Sequence, residues 1–234
     1  MKPCHALVQK DFIPIRRAGR TFAKSGVAIG ILMSLGALSA WAGEPPQTCT
    51  YHVYSWNAKS QTSVGHRTIR HPYSEVKGDE INPDSGCTVC EEDQVTIELP
   101  PLKPFRVCRR IAPALKAALE KLLQSGEPIT EIEGYHAGRT RGPLDRNGNR
   151  TGFSSHAYGT AVDINRSRNG FYHNCYTFNP KCRLMQGGPW QPGVPGTLTV
   201  DGAIVITLKA AGFKWGGEEE GSQKDFMHVS LTGF

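Results

Sequence analysis

The chain has 234 residues, enough for a domain with its own core, and its 27 Lys+Arg against 21 Asp+Glu give a formal net charge of +6. Six of those cations but only one of the acids fall within residues 1–42, so the rest carries 21 against 20, about +1. A nearly neutral body has no electrostatic footprint for nucleic acid, and that class of partner is excluded.

Residues 1–42 read as a signal peptide. Arg16, Arg17, Arg20 and Lys24 form a basic region, Val27 to Leu38 is apolar, and Ala40-Trp41-Ala42 puts small residues at the two positions a signal peptidase reads. The apolar run falls short of the ~20 residues of a membrane span. A cleaved leader leaves a periplasmic or secreted protein with no stable membrane anchor; an uncleaved amino-terminal anchor is the alternative. Six cysteines follow the leader: Cys49, Cys87, Cys90, Cys108, Cys175 and Cys182. An even number in an exported chain implies up to three disulfides. Cys175 and Cys182 bracket a short loop and are the easiest pair to assign. The other four either form disulfides or hold a structural zinc, given the Cys-x-x-Cys at 87–90.

Residues 43–105 are rich in turn formers, as in Pro45-Pro46, Asn82-Pro83-Asp84 and Pro100-Pro101, and read as a loop-rich, disulfide-stapled extension of the body. Within it Val95, Ile97 and Leu99 alternate with polar residues and predict a strand. The domain proper is taken as 106–234. Ile111 to Gln124 is predicted helical: Ile111, Leu115, Ala118, Leu119, Leu122 and Leu123 recur at helical spacing, Pro113 lies in the first turn, and Gly126 is a stop. Strands are expected at Ile129–Tyr135 and Ala161–Ile164, a second helix over Val200–Ala211 ending at Gly212, and closing strands at Phe213–Trp215 and Met227–Leu231. This order predicts an α+β fold with a small, mainly antiparallel sheet and flanking helices.

Two short strings carry the chemistry. The first is Ser154-Ser-His156-Ala-Tyr-Gly159-Thr-Ala161-Val-Asp163; the second is Asp225-Phe-Met-His228. His156, Asp163 and His228 supply two imidazoles and a carboxylate. Three protein donors leave one position of a four-coordinate ion for water, as hydrolytic rather than structural sites require. His156 and Asp163 are seven apart, an odd offset that would place them on opposite faces of an unbroken strand. A turn at Tyr158-Gly159 solves this, with His156 before it and Asp163 on the strand after it. Asp225 and His228 would likewise face apart on one strand, so Asp225 is placed on a loop, as the base that deprotonates water, and His228 opens the strand. The oxyanion formed on attack needs a positive group, for which Arg139 and Arg141 are the candidates. Ser154, Arg141 and Trp215 are assigned to substrate binding. His52, His66, His71 and His173 lack comparable partners and are read as surface residues.

The string Ser154-x-His156-x-x-Gly159-x-Ala161-x-Asp163 resembles the first zinc motif of the D-alanyl-D-alanine carboxypeptidase-like metallopeptidases, relatives of lysostaphin-type endopeptidases and of hedgehog amino-terminal domains. Gly212-Phe-Lys-Trp-Gly-Gly217 followed by Asp225-x-x-His228 is similar to the closing motif of the endopeptidase branch. The resemblance covers residues 110–232. It implies one Zn2+ per chain held by His156, Asp163 and His228, Asp225 as general base, and hydrolysis of peptide bonds in peptidoglycan stem peptides or cross-links by a monomer. It further implies a hedgehog/D,D-peptidase-like fold. One departure is evident: where members often carry an arginine after a Gly-Tyr pair, Gly134-Tyr135 is followed by His136, and Arg139 is the nearest candidate to inherit its role. A zinc-containing cell-wall-binding module without turnover is the alternative reading.

Overall fold

The structure is a computed structural model in which residues 46–233 are described. The signal-peptide expectation for 1–42 lies outside them. In chain order the strands are β1 (Thr48–Asn57), β2 (Thr62–Pro72), β3 (Gln94–Ile97) and β4 (Phe105–Cys108), followed by helix α1 (Ala112–Gln124). Then come β5 (Ile132–Glu133), β6 (Gly138–Arg139), β7 (Arg141–Leu144), β8 (Arg150–Gly152), β9 (Ala161–Ile164), β10 (Phe171–His173) and β11 (Arg183–Gln186). Helix α2 (Ala203–Ala210) precedes β12 (Lys214–Trp215), β13 (Gln223–Asp225) and β14 (His228–Ser230). The α+β class is as expected. In place of one sheet there are several small ones, of which the four-stranded antiparallel sheet β12–β14–β9–β5 positions the site.

Alternation along that sheet separates core from chemistry. Val162 pairs with Val229, and both join Ile164, Leu115, Leu119 and Leu208 in the main core. The next pair in the ladder, Asp163 opposite His228, faces the other way because strand side chains alternate. Helix α1 packs into this core through Leu115, Leu119 and Leu122, each at most 2% exposed, which follows from the apolar spacing of its sequence. Burying side chains of this size stabilises by about 1.5–3 kcal/mol each. The strand expected over 129–135 is only two residues long, Ile132–Glu133.

The region 43–105 departs most from expectation. It holds the two longest described strands, the hairpin β1–β2, of 10 and 11 residues. β1 also pairs in parallel with β6, through Tyr54 opposite Gly138 and Ser55 opposite Arg139. The 105/106 boundary falls within β4, which pairs with β3. Disulfides join Cys49 to Cys90, Cys87 to Cys108 and Cys175 to Cys182. The last pair is the one expected, and the bonding of the other four excludes the structural-zinc alternative. Among the described residues, no helix is long and apolar enough to cross a membrane.

Candidate metal centre

His156 lies in a short 3-10 turn, Ser155–Tyr158, closed by Gly159 in the left-handed region at φ 64°. This is the predicted bend, and glycine is required there for two reasons. L side chains rarely adopt that conformation, and a Cβ would stand 2.0 Å from Gln94 Oε1 and 2.5 Å from the Cys108 nitrogen. The chain then enters β9, which delivers Asp163 opposite His228.

The three expected ligands converge. His156 Nε2 lies 3.2 Å from Asp163 Oδ1 and 3.1 Å from His228 Nδ1, and His228 Nδ1 lies 3.2 Å from the same Oδ1. Among the described residues, they form the one cluster of three or more His, Cys, Asp or Glu suited to hold a metal ion. Hydrogen bonding at the outer ring nitrogen determines what the inner one of His156 offers. His156 Nδ1–H donates to the Gly134 carbonyl at 2.8 Å, since a carbonyl can only accept, which leaves a lone pair on Nε2. His228 Nε2 is paired with the Ser155 hydroxyl at 3.1 Å. Acceptor atoms this close need positive charge among them, supplied by a ring proton or by a metal ion. Donors around a four-coordinate zinc-like ion, each about 2.0–2.2 Å from it, lie roughly 3.3–3.5 Å apart. The observed triangle is within a few tenths of an ångström of that, and its nitrogen and carboxylate donors fit a divalent cation.

The surrounding charges are strongly perturbed. Burial alone would raise the Asp163 carboxyl, but His156 and His228 outweigh it and hold it well below the usual carboxylate range. Asp225 is 8% exposed and its Oδ1 has no hydrogen-bond partner. Burial first, then the nearby Asp163, push it up to about 8, while Arg141 and His156 oppose the rise. Positive charge placed among the three donors would draw it down again. Burial depresses the Arg141 guanidinium, and Asp225 counters that effect.

All these groups line one cavity of about 730 Å³, within the range of small-molecule sites. His156, Asp163, His228, Asp225, Arg141 and Ser154 form part of its wall. The Ser154 hydroxyl is buried there with no partner. Two of the expected site residues are engaged elsewhere. Arg139 is absent from the wall: it pairs with Asp79 at 2.7 Å, donates to the Thr151 carbonyl and lies over the Phe153 ring at 3.8 Å. Trp215 is buried in the core, and its indole N–H donates to the Phe226 carbonyl at 2.8 Å, holding the segment between Asp225 and His228 rather than facing the cavity. Asp225 itself ends a strand, not a loop. It pairs with Phe171 in the separate sheet β11–β10–β13, and Phe226-Met227 carries the chain across to β14.

The cavity also contains residues not anticipated. Tyr54 and Trp56 of β1, Arg150, Arg166 and His173 all line it. His173, read as a surface residue, accepts a 3.0 Å hydrogen bond from Gln223 in the wall. Their local sequences carry no motif. The pairings that bring them in are long-range; the alternation of Tyr54 and Trp56, absent from the expectations above, is the one local signal that could have found any of them.

No curated protein and no solved structure matches the chain. Residues 147–231, which include all three clustered donors and Asp225, match the family model described as D-alanyl-D-alanine carboxypeptidase, the family that the two motifs resemble.

Proposed function

We propose that the protein is an exported, zinc-dependent peptidase that hydrolyses peptide bonds of peptidoglycan stem peptides or cross-links, as a D,D-carboxypeptidase or endopeptidase. The observation that carries this is the convergence of His156 Nε2, Asp163 Oδ1 and His228 Nδ1 within about 3.2 Å of one another, in a cavity that also holds Asp225. The family match points to the same bond class.

His156, Asp163 and His228 would hold one Zn2+, which when bound supplies the Lewis acidity that brings the pKa of water towards about 7. Asp225 takes the proton from water as its oxygen adds to the carbonyl carbon, and returns it to the amine as the C–N bond breaks. Arg141, half-buried in the cavity wall near Asp225, faces the negative charge that develops on the carbonyl oxygen or the substrate's terminal carboxylate. The unpartnered Ser154 hydroxyl offers a hydrogen bond to the peptide backbone. The disulfides support export, because such bonds persist in oxidising compartments.

Digestion of purified muropeptides followed by mass measurement tests this reading. Loss of a single alanine identifies a carboxypeptidase, and separation of cross-linked dimers an endopeptidase. Asp225→Ala should abolish either product while retaining metal. Intact muropeptides after incubation with the metal-loaded wild type would refute the proposal.

A further inference from the structure

We propose that the β1–β2 hairpin is a built-in part of the metal centre, with Tyr54 acting as a positioning residue for His156 through the intervening ring of His136. This rests on reading His156, Asp163 and His228 as metal ligands.

A column of four rings runs from the hairpin to the ligand. His136 lies face-on against His156, with centroids 4.5 Å apart and planes 23° from parallel. Tyr54 stacks on His136 at 6.4 Å and 11°, and His66 on Tyr54 at 5.3 Å and 20°. All three spacings fall in the ~4.5–7 Å range of attractive ring pairs. The hydrogen bond from Nδ1 to Gly134 fixes where the His156 ring points but leaves it free to tilt about that bond. Packing against its face removes the tilt. The same Gly134 carbonyl accepts from His136 Nδ1 at 3.2 Å, so both imidazoles are anchored to one atom.

The hairpin is shaped to deliver this column. The β1–β2 register shifts between Val53 and Ser55, where Gly65 at φ 66° and His66 together oppose Tyr54. Such a bulge re-aims side chains, here setting His66 beside the Tyr54 ring. On the other side Tyr54 pairs with Gly138, where a Cβ would stand 2.6 Å from the phenol oxygen and 2.7 Å from Cζ. The ring therefore occupies the space a side chain at 138 would need. The Cys49–Cys90 disulfide ties down the start of the same strand. None of these elements lies within the matched residues 147–231.

The test is Zn2+ affinity of the metal-stripped protein, measured by competition with a chromophoric chelator, alongside thermal melting. Tyr54→Leu keeps an apolar side chain but loses the ring face; Tyr54→Phe keeps the ring. Ile69→Ala loosens the same hairpin away from the column. Tyr54→Leu should weaken Zn2+ binding about tenfold, the size typical of residues that orient a ligand. Tyr54→Phe and Ile69→Ala should bind within about twofold of the wild type. Unchanged affinity in Tyr54→Leu would overturn the proposal, as would an equal loss in Ile69→Ala, which would reduce the effect to general loosening. Because affinity is read without turnover, a wild type that binds Zn2+ but cleaves nothing would refute the peptidase reading and leave this test intact.

Discussion

Gly159→Ala offers a quantitative check on how the site is built. The residue sits at φ 64°, where an L side chain costs about 1–2 kcal/mol. Its new Cβ would lie 2.0 Å from Gln94 Oε1 and 2.5 Å from the Cys108 nitrogen, so something must move. Neither neighbour moves easily. The Gln94 amide donates to the carbonyls of Thr88 and Cys90, each at 3.0 Å. Cys108 is held by its disulfide to Cys87 and donates its own N–H to the Gly159 carbonyl at 2.9 Å. Breaking two or three such bonds adds roughly 1 kcal/mol each. The total is about 3–5 kcal/mol, at the exceptional end for one substitution. For a domain of this size it corresponds to a melting-temperature fall of about 6–20 °C. Calorimetry or urea denaturation with the disulfides intact measures it. The Gln94→Ala/Gly159→Ala double variant should be less destabilised than the sum of the singles, because the shorter side chain removes the first clash. A loss below about 1 kcal/mol in Gly159→Ala would refute this account of the turn.

Further outcomes follow from the same geometry. Arg141→Gln should lower kcat/KM by about 10²–10³-fold and Arg139→Gln by no more than a few-fold, the latter acting through its contacts with Asp79 and Phe153; steady-state kinetics on one muropeptide decides it, and the reverse ranking would restore Arg139 to the reaction. Trp215→Phe leaves the Phe226 carbonyl without its 2.8 Å donor and should cost about 1–3 kcal/mol with KM unchanged; a raised KM at unaltered stability would make Trp215 a substrate contact. His71 is held above its ordinary 6.5 by the Pro72 carbonyl and Glu80, so its stabilisation is complete below that pH and lost as pH rises through the raised value. Burial would raise Glu80, but bonds from His71, Tyr51 and Lys77 hold it below 4.5, so its contribution is present above 4.5 and lost as pH falls through the depressed value. His71→Gln should therefore flatten the decline in melting temperature above pH 6.5, and an unchanged slope would show that the pair does not contribute.

What could be read from the sequence was what is encoded locally. Helix α1 follows from apolar residues at helical spacing with proline at its start, and β9 matches its predicted span because Gly159 and Asn165 bound it. The turn between His156 and Asp163 was legible because an odd offset cannot place both on one face of a strand. What could not be read depends on distant pairing. Asp225 ends a strand because Gln223–Asp225 pairs with β10, about fifty residues earlier, although Gln-Lys-Asp has no strand pattern of its own. Tyr54 reaches the cavity through a parallel bridge to Gly138 that no spacing foretells. The engagement of Arg139 away from the cavity was equally hidden, because its partner Asp79 lies sixty residues away.

The most direct test of the metal centre is ion content after equilibrium dialysis, determined by elemental analysis for the wild type and for His156→Ala, Asp163→Ala and His228→Ala. The wild type should carry one zinc per chain and each variant far less than one, with melting curves showing that the variants remain folded. A wild type that retains no ion, or a folded His156→Ala protein that still carries a full equivalent, would contradict the three-ligand metal centre.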